Sequence, residues 1–147
     1  MKNWLILSTT IVLFLFSACD EYRDLTELQV LDFVIDDCHS ELVDGRFIIT
    51  TDSMYQSVME NFINSDTACL SSTLNNIDFS TYSLFGYRKC GSGCETNFNK
   101  ALYQDDINEK YILDIKVESI GACEPWVCSM NWILVPALPD GYFVDFL

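Results

Sequence analysis

The chain has 147 residues, 22 Asp and Glu against 8 Lys and Arg, a formal net charge of −14 and seven cysteines. That length makes one domain, and a surface this acidic, with only Arg88 and Lys89 adjacent among its cations, repels phosphate backbones and excludes nucleic acid as a partner. Beyond the first 18 residues no apolar run is long enough to cross a bilayer as a helix.

In chain order, Lys2 supplies a positive start, Trp4 to Phe16 form a short apolar stretch, and the small pair Ser17-Ala18 precedes Cys19. The segment resembles the lipobox of bacterial lipoproteins. That resemblance implies a signal peptide over residues 1–18 and a mature N-terminus at Cys19, whose thiol carries diacylglycerol and whose amine is acylated, with palmitate as one such chain. Several acyl chains hold a membrane stably where one holds only marginally. The competing reading is an ordinary cleaved secretory signal in which Cys19 is incidental. Residues 19–30 are acidic and polar and are expected to be a tether between lipid and domain. Asp20, Glu21 and Asp24 resemble the acidic export patch of Bacteroidota surface lipoproteins, which implies an outer-membrane, surface-exposed address. In enteric-type systems Asp at this position instead resembles an inner-membrane retention signal.

A single domain over residues 31–147 is expected to be α+β and mainly β: one antiparallel sheet or a small sandwich or barrel, with one helix. Arg46 to Thr50 is β-prone after the turn pair Asp44-Gly45, and Thr51-Asp52-Ser53 offers capping oxygens to a helix over about 54–64. Met54, Tyr55, Val58, Met59 and Phe62 fall on one face of that helix. Ile77 to Phe79, Tyr82 to Tyr87, Thr96 to Tyr103, Tyr111 to Ser119, Met130 to Val135 and Tyr142 to Phe146 are expected to be extended. Leu113, Ile115 and Val117 alternate with Asp114, Lys116 and Glu118, the pattern of a sheet with one wet face.

With Cys19 lipidated, Cys38, Cys69, Cys90, Cys94, Cys123 and Cys128 make an even set in an exported chain, which argues for disulfides. If Thr96 to Tyr103 and Tyr111 to Ser119 form a hairpin with Tyr103 opposite Tyr111, facing residues have numbers of nearly constant sum. Cys94 then nests with Cys123 and Cys90 with Cys128, leaving Cys38 to Cys69. The rival is a pair of local bridges, Cys90 to Cys94 and Cys123 to Cys128. A metal site drawing on Cys38-His39 and the Cys90 to Cys94 loop is the other alternative, although the ligand spacing is unusual.

Catalytic material is sparse. His39 is the chain's one histidine, no Gly-x-Ser-x-Gly elbow exists, and carboxylates are so many that a glycosidase-like pair carries little weight. No catalytic residue, metal or cofactor is assigned. Asp105-Asp106-Ile107-Asn108-Glu109 gathers oxygen ligands that could hold Ca²⁺, yet it lacks the twelve-residue pattern and reads better as a hairpin turn. Gly86 to Cys94 has the glycines and positive charge of an anion-binding loop without a P-loop ending, and reads better as a disulfide-pinned turn. Asp52-Ser53-Met54 and Asp66-Thr67-Ala68 resemble O-glycosylation acceptors of Bacteroidota envelope proteins, which would make Ser53 and Thr67 candidate sites. Helix capping by Ser53 or Asp52 is the structural alternative.

Ile77-Asp78-Phe79-Ser80, Leu84-Phe85-Gly86, a glycine- and Cys-containing turn, Tyr111 to Val117, Asn131 to Pro136 and Gly141 to Phe146 follow one another in an order that resembles the C-terminal domain of PrcB-like protease-complex subunits in small Bacteroidota lipoproteins. About half of the chain is covered, and Cys90 and Cys94 stand where the family mainly has Thr-Gly-Gly. The resemblance implies a β-rich accessory or binding domain without catalytic residues. The expectation is therefore a non-enzymatic protein with two partners: the membrane, through its lipid, and an envelope protein, with a surface protease that it modulates as the candidate the resemblance suggests. The alternatives are an envelope hydrolase or thiol enzyme using His39, and a weak Ca²⁺ or glycan binder.

Overall fold

The computed structural model describes residues 25–33, 45–65, 76–124 and 126–147, the side chains of 62–65 excepted. In chain order the elements are β1 (Thr26–Leu28), β2 (Leu31–Asp32), β3 (Arg46–Ile49), α1 (Asp52–Ser65), β4 (Tyr82–Ser92), β5 (Glu95–Asp105), β6 (Lys110–Ile120), β7 (Trp126–Pro136) and β8 (Phe143–Phe146). The class is the expected one, α+β and mainly β with disulfide bracing. It takes the form of two four-stranded sheets, ordered β1-β5-β6-β8 and β2-β7-β4-β3.

β5 and β6 are a hairpin, but Tyr103 faces Ile112 and not Tyr111. Apolar pattern decides the register, because this pairing sets Leu102 opposite Leu113 and Phe98 opposite Val117, whereas the expected one would set Phe98 opposite Lys116. The loop of residues 106–109 accommodates the register by putting Glu109 at φ 52°. β4 and β7 pair with each other over eleven positions each, from Tyr82 opposite Pro136 to Ser92 opposite Trp126. They therefore do not prolong the β5–β6 hairpin; they form a second ladder in the other sheet. The chain changes sheet at Gly93-Cys94 and again between the end of β6 at Ile120 and the start of β7 at Trp126.

Between the sheets, Phe85, Ile133 and Val135 meet Leu102, Tyr111, Leu113 and Ile115, all buried. Each such side chain stabilises the fold by about 1.5–3 kcal/mol of removed apolar surface. Alternation on β6 sends Asp114, Lys116 and Glu118 to the opposite face, the wet face that the sequence predicts. The far side of the second sheet is also apolar. Leu84, Trp132 and Ile49 are covered there by Tyr55 and Met59 of α1 and by Ile77, so the domain has three layers.

Thr51 caps the helix: its hydroxyl accepts from the Met54 N–H at 3.3 Å and its carbonyl from the Tyr55 N–H at 3.0 Å. Neither Ser53 nor Asp52 is the cap, and Asp52 instead places a negative charge in the first turn. Met54, expected on the apolar face, is 43% exposed. Ile77 to Phe79 is not a strand. The Asp78 carboxylate accepts from the Ser80 N–H and from the Ser80 and Thr81 hydroxyls, and this local competition for donors makes a turn. β4 reaches Ser92, past the expected end at Tyr87, and β7 starts at Trp126 instead of Met130. Residues 26–28, expected to belong to the tether, pair with Leu102 to Gln104 as an edge strand. β8 is parallel to β6, so the first sheet is mixed.

Trp132 lies over Gly86, its ladder partner, so closely that a Cβ there would come within 2.4 Å of the ring. Gly86→Ala should therefore destabilise the domain by about 1–3 kcal/mol through overpacking. Urea unfolding should show a lower midpoint at unchanged slope, and an unmoved midpoint would mean that the ring has room to shift.

Candidate functional site

The end of the domain where the chain changes sheet is pinned by two disulfides. Cys90 and Cys128 are direct partners in the β4–β7 ladder, with Cα atoms 4.0 Å apart, and Cys94 is joined to Cys123 with Cα atoms 4.7 Å apart. This is the nested pairing expected from the sequence; the local bridges do not form, and the thiols of Cys90 and Cys94 are not free to hold a metal. Gly91, buried on the inner face of β4, lets the layers close: a Cβ there would meet Val117 at 2.5 Å. Gly121 turns at φ +82° against Cys94, where any side chain would collide with the sulfur at 2.6 Å.

This clamped tip carries apolar side chains in water. Trp126 is 70% exposed, Ile120 55% and Val127 41%. Trp126 shares the face of β7 on which Cys128 lies, two residues on. Residues 91–97 and 118–127 include Glu95, Glu118 and Glu124 and no Lys or Arg. The tip therefore presents isolated apolar anchors in a negative field. β1 pairs with β5 at Leu102 to Gln104, beside the opposite end, so the tip lies roughly 30 Å from where the described chain begins, at about 3.4 Å per strand residue.

At that opposite end, Asp105-Asp106-Ile107-Asn108-Glu109 closes the β5–β6 hairpin. Asp105, 8% exposed, accepts from the Asn108 N–H at 3.0 Å and from its side-chain amide at 2.7 Å. Those bonds, the side-chain one first, hold its carboxyl below the usual 3.8. Asp106 accepts from Gln104 and from the Tyr142 hydroxyl at 2.8 Å, which pushes the Tyr142 phenol up. The Asp105 and Asp106 carboxylates thus serve donors of the turn and of Gln104 and Tyr142 beside it.

Of the other residues singled out from the sequence, Ser53 is exposed in the first turn of α1, with its hydroxyl 3.2 Å from that of Thr51. Cys19, Cys38, His39, Thr67 and Cys69 lie outside the described residues, as does the expected Cys38 to Cys69 bridge. Among the described residues no group of three or more His, Cys, Asp or Glu is placed to hold a metal, and no helix is long and apolar enough to cross a membrane. Trp126 carries no sequence signal of its exposure. An aromatic residue at the start of a strand looks like core until its ladder partner, Ser92, proves to lie at the end of the sheet. No protein-family model, curated protein or solved structure matches this chain.

Because the bridges are nested, either one left intact shortens the path closed by the other to the few residues between Cys90 and Cys94 and between Cys123 and Cys128. Replacing one pair by Ser should cost about 2–3 kcal/mol, and replacing both should cost more than the two single losses together. Urea unfolding of the three variants reads this directly, and simple additivity would mean that the unfolded chain does not feel the nesting. A second expectation concerns acid. Asp105 is depressed in the folded state, so its contribution to stability is present above about pH 4 and lost as pH falls through its folded pKa. Asn108→Ala should move the carboxyl titration back toward 3.8, followed by carbon NMR, and flatten stability against pH in that acid window.

Proposed function

We propose that this chain is a lipid-anchored protein of the bacterial cell envelope, carried on the outer membrane through Cys19 and of Bacteroidota type. Its β-rich domain binds another envelope protein and is not an enzyme. The observation that carries the reading is the tip: a tryptophan 70% exposed on a strand end fixed by two disulfides. Exposed tryptophans on rigid supports make strong interface anchors, because they bury a large area while losing little conformational freedom on binding. The negative charge around Trp126 favours a partner whose apolar pocket has a basic rim. An anchor before β1 would also leave the tip at the end away from the lipid, available to a neighbour. The resemblance to PrcB-like domains makes a surface protease complex the first partner to examine, with the domain as accessory or modulator.

The test is site-specific photo-crosslinking in native membranes. A photoreactive residue at position 126 should give one discrete adduct, and the same residue at Asn99, on the outer face of the β1-β5-β6-β8 sheet, should not. Cys19→Ala should release the protein into soluble fractions and abolish the adduct. Equal adducts from both positions, or an undiminished adduct from soluble Cys19→Ala protein, would overturn the reading.

A further inference from the structure

Arg88 and Lys89 are adjacent on β4, and their side chains leave the strand on opposite faces. Lys89 points to the inner face with Tyr87. Its ammonium nitrogen is 4.7 Å from the centre of the Tyr87 ring, and the Arg46 guanidinium, directly across the ladder on β3, is 5.3 Å from the same centre. Arg46 also lies 5.8 Å from the ring of Phe146 on β8, which meets Tyr87 edge to face at 5.2 Å. Neither Arg46 nor Lys89 is paired with a carboxylate among the described residues, in a chain where acids outnumber bases 22 to 8. By contrast Lys100 pairs with Asp32 at 2.6 Å and Lys110 with Asp145 at 2.9 Å.

We infer that Arg46 and Lys89, gathered on Tyr87 at the side of the sandwich where β3 and β8 form the sheet edges, are a recognition site for an extended acidic peptide segment of a partner protein. A guanidinium held beside two rings by cation–π attraction still carries a planar N–H fork, which can take a carboxylate in a bidentate pair. Two cations on one ring lie no more than about 10 Å apart, and carboxylates two residues apart on a strand lie roughly 7 Å apart on one face. An added strand with acids at alternate positions can therefore reach both. Among the described strands β3 ends its sheet, and it is the edge on which such a strand would pair. The ring contacts leave Tyr87 already committed, which disfavours stacking of a sugar. Long polyanions and anionic membranes are opposed by the net charge of −14, whereas a short acidic segment meets the cations within a Debye length of about 8 Å at physiological salt.

The inference rests on the reading of the domain as a binding module, but not on Trp126. Full-length lipoprotein in neutral detergent would be titrated with a fluorescent peptide of alternating Glu and Thr, its Gln-for-Glu analogue, oligogalacturonate, and phosphatidylglycerol vesicles. The Glu peptide should bind at least tenfold more tightly than the Gln analogue. Arg46→Gln and Lys89→Gln should each weaken it fivefold or more, Arg46→Lys less, and Arg88→Gln, on the opposite face, should leave it unchanged. Unaltered melting temperatures certify folding; if Arg46→Gln unfolds the domain, Lys89→Gln and the two peptides decide alone. Equal binding of the two peptides, an equal loss in Arg88→Gln, or binding only of oligogalacturonate or vesicles overturns the inference. Because crosslinking at position 126 does not involve these cations, its success alongside failure here would remove this site and leave the tip standing.

Discussion

Four long strands, β4 to β7, follow one another in sequence yet do not form one sheet, and the rest of the domain depends on how they are held. β5 pairs with β6 and β4 with β7, and the two ladders stack face to face. At one end the chain itself connects them, through Gly93-Cys94 between β4 and β5 and through the segment between β6 and β7. The bridges Cys90 to Cys128 and Cys94 to Cys123 sit at that junction. They supply there what the core supplies at the other end. Toward the N-terminus of β4 the layers are held by Phe85, Tyr111, Leu113 and Ile133, and by the short strands β1, β2, β3 and β8 flanking the ladders.

What could be read from the sequence follows this division. Period and pattern sufficed for α1 and for β6 with its wet face, whereas the nested cysteines follow correctly from a hairpin that does not reach them: the β4–β7 ladder that sets Cys90 opposite Cys128 belongs to the other sheet. The chain's exchange between sheets was not readable. Cys90-Gly91-Ser92-Gly93-Cys94 looks like a turn because glycine is a turn residue, yet Gly91 is there because Val117 approaches it from the facing layer. A contact between layers leaves no local signal. The same holds for β8, whose four residues look extended in isolation while their parallel pairing with β6 is fixed by Tyr142 and Phe143 docking on the β5–β6 turn.

The candidate sites differ in legibility for a related reason. Trp126 and Trp132 have the same composition and the same strand, and only their ladder partners separate them: Gly86, under the helix layer, buries Trp132 to 5% exposure, and Ser92, at the end of the sheet, leaves Trp126 in water. Arg46 and Lys89 are far apart in sequence and come together because β3 pairs with β4 at Tyr87. Neither arrangement can be derived without the register.

Rigidity ties these features to binding. The tip and the Arg46, Lys89 and Tyr87 cluster both include β4, and Lys89 precedes Cys90, the residue that locks β4 to β7. A strand fixed at that point holds the backbone beneath both the ammonium and the indole, which leave the second sheet on opposite faces. A surface preformed in this way would lower the ordering cost of any association. The acidity elsewhere works in the same direction. Against a background of −14, Arg46 and Lys89, with no carboxylate partner among the described residues, would give a carboxylate a local attraction at one edge of the sandwich, which makes the position of a ligand, more than its total charge, the quantity the surface can discriminate.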